Sequence, residues 1–232
     1  MKVVLFISLI VSCLTISEQC NAAVSVGGTR LIFDGNEREA SISVNNTSNG
    51  TPVLIQSWID GSNGSQVKAP FMITPPLFRL EPGQDNILRA VRIGGKIPED
   101  RETLYWLNIK IIPSVKKDTV KKNTLQLAIK KRIKFIYRPQ SVKGTPEQSA
   151  DTLVWKRNGN QIQVVNPTPF YMNFSVITIG GKIFKPTLPE QTYVAARSEL
   201  SFPAPSGATG NVVSWKIIND YGMSGKEFTK KL

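Results

Sequence analysis

The chain of 232 residues contains no histidine. That absence removes Ser-His-Asp triads, Cys-His pairs and every His-ligated zinc or iron site. Carboxylate chemistry survives the count, yet no motif pairs two acids as glycoside hydrolysis would need. Cations are the better-organised feature. Between Lys110 and Arg138, ten Lys and Arg residues stand against one acid, Asp118. Inside that run Leu125, Leu127 and Ile129 alternate with Gln126 and Ala128, the two-residue period of a strand. Lysines on a strand discourage uncontrolled edge-to-edge pairing, which explains most of the run without any ligand. The adjoining apolar row is not explained that way. A strand whose apolar row is followed by cations offers both a pairing edge and an anion site, the β-augmentation mode of peptide recognition. Nucleic acid is a poorer partner for it, since no aromatic platform interleaves the lysines before Phe135.

The elements that must position this run begin after a leader. Met1-Lys2, an apolar stretch from Val3 to Ile16, and Ala22-Ala23 have the order of a secretory signal peptide. The apolar stretch is shorter than the ~20 residues that span a bilayer, and cleavage is expected after Ala22. Both cysteines, Cys13 and Cys20, leave with residues 1–22, while the net charge stays at +12 because Lys2 and Glu18 leave together. No later segment is apolar enough to cross a membrane, so no membrane insertion is expected of the mature chain. Asn-x-Ser/Thr triplets at Asn45, Asn46, Asn49, Asn63 and Asn173 are read as by-products of Asn-rich turns.

The body predicts short strands. Ala40, Ile42 and Val44 alternate with polar residues, as do Val53, Ile55, Ser57 and Ile59 with their neighbours; Leu104 to Ile111, Ile162-Val164 and Phe174 to Ile179 continue the theme. Turn dipeptides such as Asp34-Gly35, Pro82-Gly83, Asn158-Gly159 and Tyr221-Gly222 punctuate them. This argues for all-β sandwiches. A strong strand is expected from Leu125 to Tyr137. The polar stretch after it divides the chain into a domain over 23–140, a linker over 141–150 and a second domain over 151–232, each of a size the immunoglobulin fold takes.

Six segments then carry a resemblance: Gly28–Phe33, Ile73–Phe78, Pro98–Ser114, Ile133–Pro139, Asn166–Tyr171 and Ile218–Gly222. In this order, over two domains, the chain resembles the periplasmic chaperones of the chaperone–usher pilus pathway, the PapD/FimC-like family. The resemblance implies two immunoglobulin-like sandwiches in a boomerang with an interdomain cleft, no cofactor, no metal and no enzymatic activity. It implies pilus subunits and an outer-membrane usher as partners, in the periplasm. Carried over residue by residue, Arg30 and Lys134 would hold a subunit's C-terminal carboxylate. Leu125, Leu127 and Ile129 would enter the groove of a subunit lacking its last strand, and Glu102, Arg138 and Asp220 would set the interdomain angle. The segment between Pro113 and Asn123 is short and without cysteines, as in the short-loop subgroup.

Two further expectations remain open at this stage. Thr74-Pro75-Pro76 is a turn that can hold a cis peptide. Leu125, Leu127 and Ile129 are odd-numbered and Lys134 even, so serving one bound chain would require either a bulge near Lys130–Arg132 or a strong twist. Competing classes are a pilus structural subunit or adhesin, and an exported carboxylate-dependent enzyme. The first is weakened by the second domain and the lack of mature cysteines.

Overall fold

The computed structural model describes residues 24–48, 50–61, 69–114, 125 and 127–232. Residues 1–22, much of the basic run and most of the short connection after Pro113 lie outside them. The first domain contains β1 (Ser25–Val26), β2 (Arg30–Asp34), β3 (Glu39–Asn45), β4 (Val53–Asp60), β5 (Phe71–Thr74), β6 (Leu77–Leu80), β7 (Asp85–Arg92), β8 (Thr103–Pro113) and β9 (Ile129–Arg138). The second contains β10 (Val154–Asn158), β11 (Gln161–Asn166), β12 (Met172–Ile179), β13 (Lys182–Ile183), β14 (Tyr193–Val194), β15 (Ser198–Pro203), β16 (Val212–Ile218) and β17 (Ser224–Lys231).

In the first domain a sheet ordered β1-β3-β7-β5 faces one ordered β2-β9-β8-β4-β6. The alternation seen in sequence fixes which face is inside. Ile42 and Val44, Val53 and Ile55, Leu88 and Ala90, Leu107 and Ile109 are all buried in one cluster, joined by Phe33, Phe71, Phe135 and Tyr137. Phe71 and Phe135 meet edge-on at 4.9 Å, a geometry aromatic pairs favour beyond the area they bury. Thr74–Pro75 is a cis peptide, between β5 and β6.

The second domain packs β10-β11-β15 against β13-β12-β16-β17, with β14 also on β12. Its core is built on Trp155 and Trp215, 5.4 Å apart, with Ile162, Val164, Phe202 and Ile217. In β12, Phe174, Ile177 and Ile179 are buried whereas Val176 is exposed. The alternation breaks because the register to β16 shifts between Phe174 and Val176, as a bulge demands. Within 141–150, Val142 and Ala150 are buried in the second core, and a single helical turn, Pro146–Ser149, joins them.

One expectation is corrected by these strands. Leu125 and Leu127 are not in β9, which begins at Ile129. The reason lies in the neighbour: β8 ends at Pro113, and its last pair with β9 is Ile111↔Ile129. Among the described residues, no strand of the first domain pairs with the chain upstream of Ile129.

Candidate functional site

The apolar row comes first. Leu125, Leu127 and Ile129 are 85%, 66% and 58% exposed, far from the burial that aliphatic side chains usually find. Just downstream, Ile133, Phe135 and Tyr137 of β9 pack on the first core. From Ile129 to Tyr137 the pairing with β8 runs without a register shift, so the bulge entertained near Lys130–Arg132 does not occur. The odd-numbered row therefore continues the core-facing side of β9, and Lys134 points to the other face.

The opposite edge of β9 is only partly used. β2 pairs with it in parallel from Arg30↔Lys134 to Asp34↔Arg138. Ile129 to Ile133 is thus held by β8 on one side, and β2 does not reach its other edge. Among the described residues nothing pairs with that edge, and an open strand edge beside exposed aliphatic groups is a template for another chain.

The cations sit where that edge ends. Parallel pairing makes Arg30 and Lys134 register partners on the face turned towards the second domain. Arg30 Nη1 donates to the Ile218 carbonyl at 3.4 Å, and its Nε is buried without a partner among the described residues. Lys134 Nζ donates to Asn173 Oδ1 at 2.5 Å and lies 4.4 Å from the centre of the Tyr193 ring. Burial, and then the Arg30 guanidinium, push the Lys134 amine down to about 7. Burial also lowers Arg30, opposed by the charges of Asp220 and Glu102. Two desolvated cations side by side are costly in isolation and favour an anion between them.

A third group ties the domains together. Arg138 Nε donates to Glu102 Oε1 at 2.7 Å, and its Nη1 and Nη2 donate to the two Asp220 oxygens at 2.8 Å each. Glu102 Oε2 accepts the Tyr171 backbone N–H at 2.6 Å, and the Glu102 N–H donates to the Pro169 carbonyl at 2.8 Å. The Glu102 side chain is 1% exposed. Burial pushes its carboxyl up to about 7 against the pull of Arg138 and the Tyr171 N–H. Burial opposes the charge on Arg138 too, but the bonds from Asp220 and Glu102 win and hold its guanidinium above the ordinary value. A fork-to-fork guanidinium–carboxylate contact fixes angle as well as distance.

Local sequence explains why the second domain can present these partners. Asn166 Nδ2 donates to the Phe170 and Ala195 carbonyls, while its Oδ1 accepts from Thr168 N and Oγ1, so the Asn-Pro-Thr-Pro loop is fully tied before it reaches Glu102. Asn219 Oδ1 accepts the N–H groups of Tyr221 and Met223. Gly222 adopts φ +84°, where a Cβ would run into Thr29, so this turn sits directly on the start of β2. Both segments were legible as motifs; Asn173 and Tyr193 as neighbours of Lys134 were not. A second interdomain ion pair, Arg197 Nη1 to Asp100 Oδ2 at 3.6 Å, also had no signal in sequence. Among the described residues no group of His, Cys, Asp and Glu is arranged to hold a metal ion, and no helix is long and apolar enough to cross a membrane.

Comparison with known proteins gives the family and the fold. Residues 23–143 match the family described as pili and flagellar-assembly chaperone, PapD N-terminal domain, and residues 148–229 match pili assembly chaperone PapD, C-terminal domain. The chain is 40% identical to a probable fimbrial chaperone, LpfB, of Escherichia coli O157:H7, over 98% of this chain and 96% of that protein. It is 38% identical to the chaperone protein FocC of Escherichia coli, over 88% of each. Among solved structures, the SafB chaperone in complex with the SafA pilin of Salmonella enterica superposes with a TM-score of 0.82 at 39% identity, over 91% of this chain and 97% of that one. The Escherichia coli chaperone DraB gives 0.78 at 39% identity, over 90% and 96%.

Proposed function

The chain belongs to the pili assembly chaperones, whose two family domains account for nearly all of it beyond residue 22, and on that premise we propose that it captures pilus subunits in the periplasm by lending them a strand. The observation that carries this reading is the run of exposed Leu125, Leu127 and Ile129 leading along an open edge of β9 to the Arg30–Lys134 pair. A subunit short of its last strand would bury the row in its groove. Its C-terminal carboxylate would lie between the two cations. Each fully buried aliphatic side chain contributes ~1.5–3 kcal/mol, and each charge-assisted hydrogen bond ~1.5–3 kcal/mol.

The same reading gives Glu102, Arg138 and Asp220 the task of holding the cleft angle. Residues 1–22 serve as an export signal, with domain limits at 23–140 and 151–232 on either side of a junction at 141–150. The loaded chaperone then passes its cargo to an outer-membrane usher. No cofactor enters the mechanism, and the work is binding rather than catalysis.

The test is a pair of peptides with the C-terminal sequence of a pilus subunit, one a free acid and one an amide. The free acid should bind markedly more tightly at moderate salt. Equal affinity would overturn the role given to Arg30 and Lys134.

A further inference from the structure

Lys134 has neutral nearest partners and, unlike Arg30, no acid among the described residues acting on its charge. Asn173 Oδ1 accepts from its Nζ, and the Tyr193 ring lies beneath it. Asn173 is itself buried at 3% exposure, on β12 of the second domain. Among the described residues the charged group that acts on Lys134 is Arg30, across the β2–β9 pair. On its own strand, Arg132 is turned over the Trp106 ring at 4.4 Å. The nearby acids are committed elsewhere: Glu102 and Asp220 both bond Arg138. Burial pushes the Tyr193 phenol up, and that of Tyr171 to about 12, so both stay neutral around pH 7.

An amide oxygen and a ring face stabilise an ammonium only modestly. They do not offset burial and a like charge next door. A carboxylate brought between Arg30 and Lys134 would change that balance by supplying the missing negative charge. We propose that capture of a chain-terminal carboxylate at this site takes up a proton from solvent onto Lys134 Nζ, with Asn173 and Tyr193 acting as positioning residues that hold Nζ in place in the uncomplexed chain. This rests on the reading of Arg30 and Lys134 as the carboxylate anchor. The depressed amine value of about 7 puts the proton uptake inside the range where a periplasm-facing protein works. Acidification strengthens the grip on cargo and alkalinity loosens it.

The absence of histidine leaves few other titrations in the window between pH 6 and 9, Glu102 and the chain's terminal amine being the exceptions. A terminal carboxyl, at pKa ~3.5, does not titrate there. The experiment is calorimetric titration of the whole chaperone with an N-acetylated peptide that has apolar residues at alternate positions and a free C-terminal carboxylate. It is run from pH 6 to 9 in two buffers of different ionisation enthalpy. Uptake should rise from near zero at pH 6 towards one proton per complex at pH 8.5, with affinity falling about tenfold per pH unit above pH ~7. Lys134→Arg, charged throughout, should lose the uptake and the slope while still preferring the free acid to the amide. Asn173→Asp, which sets a carboxylate against Nζ, should also lose the uptake. Wild-type binding that prefers the free acid yet is independent of pH, without proton uptake, overturns the inference and leaves the anchor standing. A slope fully retained in Lys134→Arg assigns it to Glu102 or the terminal amine and overturns the inference as well. Equal affinity for acid and amide removes the anchor, and this inference with it.

Discussion

Arg30 opens β2 directly opposite Lys134 of β9, and the two strands run parallel. Parallel pairing places two cations from distant parts of the chain at one level of the sheet, where an antiparallel partner would have reversed the order of β2 and carried Arg30 to the far end.

From that juxtaposition follows a non-additive pair of losses. Arg30→Ala and Lys134→Ala should each weaken binding of a free-acid pilin peptide by roughly ten- to a hundredfold, the scale of one charge-assisted hydrogen bond. The double change should cost less than the sum, since both groups serve one carboxylate. Titration calorimetry of the four proteins checks this, and strict additivity would argue against a shared ligand.

Leu127→Glu should leave the isolated protein folded, because this side chain is mostly exposed and surface substitutions shift stability by about 0.5 kcal/mol or less. Capture of a subunit should be lost, since an unpaired carboxylate in an apolar groove costs several kcal/mol. Thermal melting and co-purification separate the two. A protein that unfolds would place the row in its own core.

Asp220→Ala removes the carboxylate that the second domain contributes to Arg138. With Asp220 about a quarter exposed, the loss should fall below the ~3–5 kcal/mol of a fully buried pair. Both domains should stay folded while their relative orientation loosens. Small-angle scattering should record a broader distance distribution; an unchanged envelope with unchanged rigidity would count against a role in cleft angle.

Lys134 also marks stability with pH. Its amine is held down to about 7 in the folded chain against 10.5 as the ordinary value. Between those limits the unfolded chain binds more protons, so stability from this group rises with pH. At ~1.4 kcal/mol per pKa unit the gain is on the order of a few kcal/mol. Denaturant titrations at pH 7 and pH 10 should show it in the wild type and not in Lys134→Met, once the common change from other groups is subtracted.

The alternation of Ala40 to Val44 and of Val53 to Ile59 made the first sandwich legible, because period two states which side of a strand meets the core. The row of Leu125, Leu127 and Ile129 was legible as apolar and periodic, but its strand was drawn too long. Periodicity does not say where a partner strand runs out, and β8 runs out at Pro113. Val176 shows the same limit, because a bulge appears in sequence only as a broken pattern. Glu102, Arg138 and Asp220 were found through motif resemblance and meet within hydrogen-bonding distance. Asn173 and Tyr193 are neighbours of Lys134 through the docking of two domains, which no local pattern encodes.

The start of β2 at Arg30 has one more consequence. Because β2 takes over the edge of β9 at Lys134, the stretch before it has a closed end, and in the proposed capture of a subunit strand that end would be a depth gauge. A cargo tail pressed against that stop is measured from its last atom inward. Lengthening the tail by one residue would exchange every inward-pointing side chain for an outward one, whereas lengthening it by two would restore the pattern one step along. On the proposed reading, cargo would thereby be sorted by the parity of its final segment, before any individual side chain is inspected.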